Sequence, residues 1–197
     1  TVPPLPPGLS YQDVAAGSDH SVALRSDGQV IAWGSNEEVQ CNVPPPAPGT
    51  DYVQVTTGGA ENLKGFDHCP FFAALSSDGS ISAWGFNYSG QCDVPPLPQG
   101  AVYVGVSAGT SHTVASLNDH SLVAWGDNSF GQCDVPPLEQ GQLYAEVDAS
   151  SAFGNLARLS DGSAIGWGDN YSHQNLVPAL PPGLSYIGVS AVWAIAS

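Results

Sequence analysis

The chain has 197 residues, 42% of them hydrophobic, and sets three Lys or Arg against 18 Asp or Glu, a formal net charge of -15. Length and apolar share suit one sizeable folded core and exclude a disordered chain; the lack of any apolar run of about 18 residues excludes a helical membrane span. The charge excludes direct DNA or RNA binding and docking on anionic lipid, and leaves open plain solubility or an acidic face that meets a basic partner or divalent cations.

In chain order, Tyr11-Gln12-Asp13-Val14-Ala15-Ala16 reads as a first strand, Gly17-Ser18-Asp19 as a turn and His20 to Leu24 as a second strand. Asp27-Gly28 supplies the positive φ of a two-residue hairpin, and Val30 to Gly34 forms a third strand. The hairpin dipeptide recurs as Asp78-Gly79 and Asp161-Gly162, but the third copy has Asp119-His120, which is expected to strain or lengthen its turn. Third strands recur at Ile81 to Gly85, Leu122 to Gly126 and Ile165 to Gly168. Their tryptophans, Trp33, Trp84, Trp125 and Trp167, lie 51, 41 and 42 residues apart, each followed by Gly and, two residues later, Asn. A period of that size marks one small β-unit copied in tandem, which cannot bury its apolar face alone.

After each tryptophan strand comes an Asn-containing loop and a proline link, as in Gln91-Cys92-Asp93-Val94-Pro95-Pro96-Leu97. Diproline fixes φ and removes amide donors, so the link is a stiff extended connector. No 3.6-residue apolar stripe predicts a helix. Copies are expected over about 1–41, 42–92, 93–133 and 134–175, with part of a fifth over 176–197. Val2 to Tyr11 reappears as Val177 to Tyr186 with one substitution, so both ends carry the same part of the unit. That redundancy, with a start at Thr1 instead of Met, leads us to expect a processed or excised segment: an open arc of a longer array, or a subunit that stacks on neighbours.

Ala16-Gly17-Ser18-Asp19-His20-Ser21-Val22-Ala23-Leu24 and Ala108-Gly109-Thr110-Ser111-His112-Thr113-Val114-Ala115, with the Asp-Gly and Trp-Gly-x-Asn phases, resemble the regulator-of-chromosome-condensation type repeat. The resemblance covers nearly the whole chain. It implies an all-β fold, a β-propeller of four-stranded blades, here about four to five and short of a full ring. It also implies that His20 and His112 hydrogen-bond backbone within their blades. Family members serve as exchange factors for a small GTPase, as inhibitors or as scaffolding domains. An exchange factor needs the wedge of a complete ring, which makes that role, like an inhibitor's, a lesser alternative here.

Departures between copies are where function is sought. The second copy carries an insertion over 57–70 with the only lysine, and Glu61, Asn62, Lys64, Phe66, Asp67 and His68 form a candidate partner-binding loop, the alternative being a passive insertion. Asp19-His20-Ser21 contains the residue types of a hydrolase triad, but neighbours on a strand point to alternate faces. Phe71 and Gly154 hold the histidine phase in the second and fourth copies, so no shared catalytic machinery is expected. Cys41, Cys92 and Cys133 share one phase and lie too far apart to pair; Cys69 can bridge to Cys41 or Cys92 in an oxidising compartment, or stay a thiol in a reducing one.

Asn87-Tyr88-Ser89 and Asn170-Tyr171-Ser172 are glycosylation sequons, although turn geometry already accounts for an Asn at that phase. No catalytic constellation, cofactor site or metal site is read. The expectation is a non-enzymatic protein-interaction module or structural scaffold subunit whose partner is a protein, a larger complex or further copies of itself, and which takes no nucleic acid and does not insert into a membrane. The alternative is a carbohydrate-binding propeller that stacks Tyr88, Phe130 and Tyr171 on sugar faces. Few basic residues and phased cysteines favour a secreted or organelle-lumenal site over the cytoplasm.

Overall fold

The computed structural model describes residues 2–17, 19–37, 39–59, 70–149, 153–171, 173 and 175–190. They form twelve strands in four antiparallel sheets of three. The sheets are β1(Tyr11–Ala16), β2(His20–Arg25) and β3(Val30–Gly34); β4(Tyr52–Gly58), β5(Phe71–Ser76) and β6(Ile81–Gly85); β7(Tyr103–Ala108), β8(His112–Leu117) and β9(Leu122–Gly126); and β10(Tyr144–Asp148), β11(Gly154–Leu159) and β12(Ala164–Gly168). Strand order follows chain order in each, and the middle strand pairs with both neighbours. There is no helix among the described residues.

The blades have three strands where the resemblance implied four. The proline connector after each third strand forms no strand, and its prolines lack the amides that a ladder needs. It is anchored by side chains instead. The hydroxyls of Tyr11, Tyr52, Tyr103, Tyr144 and Tyr186 each donate to the carbonyl of a proline eight residues earlier: Pro3, Pro44, Pro95, Pro136 and Pro178, at 2.7, 3.0, 2.8, 2.6 and 2.6 Å. Val94, Leu97, Val135 and Leu138 of the connectors pack on the cores.

Those cores lie between blades. Alternation along a middle strand sends successive side chains to opposite faces. Val22 and Leu24 of β2 therefore meet Phe72 and Ala74 of β5, while Ala73 and Leu75, from the other face of β5, meet Ala115 and Leu117 of β8. Val114, back on the far side of β8, joins Ala157, Leu159 and Trp167 of the fourth blade. The second and third blades are each half of two cores, the first and fourth contribute to one each, and the arc folds by stacking, as tandem units require.

The third hairpin keeps the length of the others. His120 donates its amide to the Leu117 carbonyl at 2.9 Å, as Gly28 does to Arg25 at 3.0 Å and Gly79 to Ser76 at 2.9 Å. Its φ of +66° is the left-handed conformation that a glycine takes in the other copies, so the turn is strained and not lengthened. Thr57 and Gly58, placed in the insertion by the sequence, complete β4 opposite Phe72 and Phe71. The candidate loop residues Glu61, Asn62, Lys64, Phe66, Asp67 and His68, and Cys69, lie outside the described residues.

Candidate interaction rim

First strands end, second strands begin and third strands end on the same side of every antiparallel sheet. One rim therefore gathers the turns between first and second strands together with the loops after each tryptophan strand. The amides of Ser35, Phe86, Asp127 and Asp169 stitch the two loop sets together by donating to the carbonyls of Asp19, Pro70, Ser111 and Phe153. The Asp-Gly hairpins and connector ends form the opposite rim.

The loop after the tryptophan is locked by one device in four copies. Asn36, Asn87 and Asn128 accept the amides of Cys41, Cys92 and Cys133 on Oδ1, each at 2.8 Å, and donate Nδ2 to Asn42, Asp93 and Asp134. Asn170 accepts from the Asn175 amide at 3.0 Å, but with Leu176 six residues on its Nδ2 has no such acceptor. The shared cysteine phase is part of the lock. The thiols of Cys41, Cys92 and Cys133 donate to the carbonyls of Ser35, Phe86 and Asp127, and in the fourth copy the side-chain Nδ2 of Asn175 donates to the equivalent carbonyl, that of Asp169, at 2.7 Å. Burial pushes Cys92 up to about 12 and Cys133 up to about 11, so both stay protonated. These three thiols are free, and any bridge to Cys69 falls outside the described residues.

A locked backbone presents whatever the variable positions carry. Tyr88 is 79% exposed, Phe130 49% and Tyr171 92%, and they are the exposed Phe, Tyr or Trp side chains of the described chain. Tyr88 stacks on Phe86 with ring centroids 6.4 Å apart, and Phe130 packs at a tilt against Phe153 at 4.9 Å. Glu37, Asp93, Asp127, Asp134 and Asp169 stand on the same loops. Arg25 and Arg158 end second strands on the opposite side, paired with Asp27 and Glu146. The hairpin carboxylates there are held low, Asp27 by Arg25, Asp78 by Ser80 and Asp119 by Ser121, while Ser163 and Gln142 bring Asp161 down to about 2.

Asn-lock and tryptophan phases also tie blade to blade. Trp84, Trp125 and Trp167 donate Nε1 to the carbonyls of Gln40, Gln91 and Gln132 of the preceding copy at 2.9, 2.9 and 3.1 Å. Trp33, on the open face of the first blade, makes no equivalent bond among the described residues, and Val14 beside it is 66% exposed where Val55 and Val106 are 4%. The start of the fifth copy hangs on the fourth blade as others hang on theirs: Tyr186 donates its amide to Gly162, as Tyr52 does to Gly28 and Tyr103 to Gly79.

The histidines clamp neighbouring blades and do not bond backbone within their own, as the resemblance implied. His20 Nε2 lies 2.6 Å from Thr57 Oγ1 of the second blade, and His112 Nε2 2.8 Å from Asn155 Oδ1 of the fourth. His20 Nδ1 also meets Asp19 at 3.0 Å, so an Asp–His–hydroxyl relay exists, through Thr57 and not Ser21. The Thr57 hydroxyl is also within bonding distance of the Phe71 carbonyl at 3.1 Å, and His20 is buried. At the same phase His112 makes its clamp with an amide and no acid, which identifies the contact as a joint. Burial lowers the His112 pKa, with Asn155 and Asp127 opposing. Gly109 makes room, because a Cβ there would lie inside the His112 ring.

Thr57, Asn155 and the glutamine carbonyls were missed from sequence; the glutamine phase Gln40, Gln91, Gln132 was visible there, while Thr57 and Asn155 occupy different phases. Among the described residues no three His, Cys, Asp or Glu side chains gather as a metal site.

The regulator of chromosome condensation (RCC1) repeat model matches residues 11–40 and 103–132, the two copies with a histidine at the His20 and His112 phase. The chain is 32% identical over 101 residues to Protein RCC1 of Candida albicans, covering 43% of this chain and 21% of that protein. It is 32% identical over 127 residues to guanine nucleotide exchange factor SRM1 of Saccharomyces cerevisiae, covering 51% and 24%. The structure of Saccharomyces cerevisiae Prp20p, described with its binding to Gsp1p and histones, superposes with a TM-score of 0.68 at 19% identity, over 87% of this chain and 48% of that one. The chain thus spans about a quarter or less of these two relatives and half of the solved neighbour. The copies over 11–40 and 103–132 match the regulator of chromosome condensation repeat, and the four sheets together have the fold of part of a β-propeller.

Proposed function

We propose that the chain is a non-enzymatic protein-interaction module, a propeller scaffold that presents the rim of tryptophan-strand loops to a protein partner. The observation that carries this is the division of labour within those loops: the lock is kept from copy to copy while the solvent-facing positions change, from Glu37 to Tyr88, Ser129 and Tyr171. Constant backbone with variable side chains is how a scaffold builds a recognition surface. Relatives and structural neighbours named for an exchange activity and for binding Gsp1p and histones support a protein partner; which partner is not carried over.

The groove between Pro95–Gly100 and Asn118–Ser121 holds one acidic side chain, Asp119, and no second group for acid–base work. The exposed rings also support a second reading, a carbohydrate-binding rim in a secreted or lumenal protein. Of the two sequons, Asn170 is the one whose Nδ2 can carry a glycan without breaking the lock bond that Asn87 makes to Asp93.

Photo-crosslinking tests the primary reading. A benzophenone side chain placed at Tyr88 is expected to yield a discrete protein adduct in extracts of the source cells, and one at His120 on the opposite rim is not. Equal yields from the two positions, or glycan adducts in place of protein, would overturn it.

A further inference from the structure

Resting on that reading, we propose that the segment bound on this rim is an extended basic one, rich in arginine or lysine. The three exposed Phe and Tyr rings of the described chain, Tyr88, Phe130 and Tyr171, lie on this rim, and no exposed Phe, Tyr or Trp of the described chain lies on the other. They alternate with Glu37, Asp93, Asp127, Asp134 and Asp169 at the interval of a blade. Asp93 and Asp134 lend Oδ1 to the lock, which leaves Oδ2 for a partner. The described cations, Arg25 and Arg158, are spent at the other side on Asp27 and Glu146.

Exposed rings beside carboxylates such as those of Glu37, Asp93 and Asp134 fit a guanidinium or ammonium chain on both counts, by cation–π contact and by charge-assisted hydrogen bonds. An uncharged sugar would use the rings and leave the charge unanswered. A nucleic acid would be repelled.

The test is fluorescence anisotropy of fluorescein-labelled deca-arginine against the intact chain and three variants at about 0.15 M salt, where the screening length is about 8 Å. Tyr88→Ala/Phe130→Ala/Tyr171→Ala keeps the net charge and is expected to weaken binding about tenfold, by loss of stacking. Glu37→Gln/Asp93→Asn/Asp134→Asn removes rim charge yet keeps the lock, since Asn42 already serves that phase in the first copy; it too is expected to weaken binding about tenfold. Asp51→Asn/Asp119→Asn/Glu139→Gln removes as much charge from the opposite rim and is expected to stay within about twofold, because local contacts and not net charge decide.

Equal losses from the two charge variants, or an aromatic variant that binds like the parent, would reduce the binding to attraction by net charge and overturn the proposal. Absence of deca-arginine binding alongside a persisting Tyr88 protein crosslink would overturn the basic segment and keep the module. Glycan binding that disappears with the rings would overturn both.

Discussion

His120 shows how a single residue can be read correctly in kind and not in outcome. A non-glycine in a left-handed turn costs about 1 kcal/mol relative to glycine, and the fold accepts the strain because the flanking strands fix the loop length. His120→Gly is therefore expected to stabilise the chain by about 1 kcal/mol in urea denaturation; no gain would mean the turn is relaxed. His112 gives a second residue-scale prediction. Its folded pKa is lowered by burial below the ordinary 6.5, so the unfolded chain binds the extra proton, and stability falls as pH drops through 6.5 by at most about 1.4 kcal/mol per unit. The parent is expected to lose stability between pH 7.5 and 5.5 relative to His112→Gln; parallel profiles would contradict a buried neutral ring. Gln91 offers a third. Gln132 donates Nε2 to Asp127 at 3.0 Å, but in the second copy Phe86 stands at that phase and the buried Gln91 Nε2 has no acceptor. Phe86→Asp is expected to raise the urea midpoint, since a satisfied buried amide gains about 1 kcal/mol; a lower midpoint would show that the Phe86–Tyr88 stack contributes more than the missing bond.

Individual strands were legible because alternation and the Asp-Gly hairpins are local signals: Tyr11–Ala16 matches its reading residue for residue, and Val30–Gly34 likewise. That the described sheets stop at three strands was not, because the weight of Pro44, Pro95 and Pro136, which bring no amides to a ladder, and of the tyrosine anchors eight residues on was not taken into account. The contacts between elements were hidden for a different reason. A tryptophan phase reveals a repeated strand but not that its indole reaches the previous copy's glutamine carbonyl, and the histidine clamps join residues 37 and 43 positions apart. Trp125→Phe is expected to cost at least about 1 kcal/mol more than Trp33→Phe, because the first breaks a buried interblade bond and the second, on the open face, has none to break. Equal costs would mean the indole acts through packing alone.

Across the molecule, the acidic charge and the rim aromatics acquire meaning from the sheet topology, which sends all four lock loops to one side. Tyr88, Phe130 and Tyr171 were picked out together from sequence, although Phe130 stands one residue past the phase that Tyr88 and Tyr171 share; that the described arginines stand at the opposite side required the strands. The chain is an arc held blade to blade by one recurring junction, and one of its rims carries exposed rings among carboxylates. Hydrogen exchange read by mass spectrometry, with and without bound deca-arginine, tests that central claim most directly. Slowed exchange confined to residues 86–93, 127–134 and 169–171 is the predicted result. Slowing at the hairpins 26–29, 77–80 and 118–121, or evenly across both rims, would contradict it.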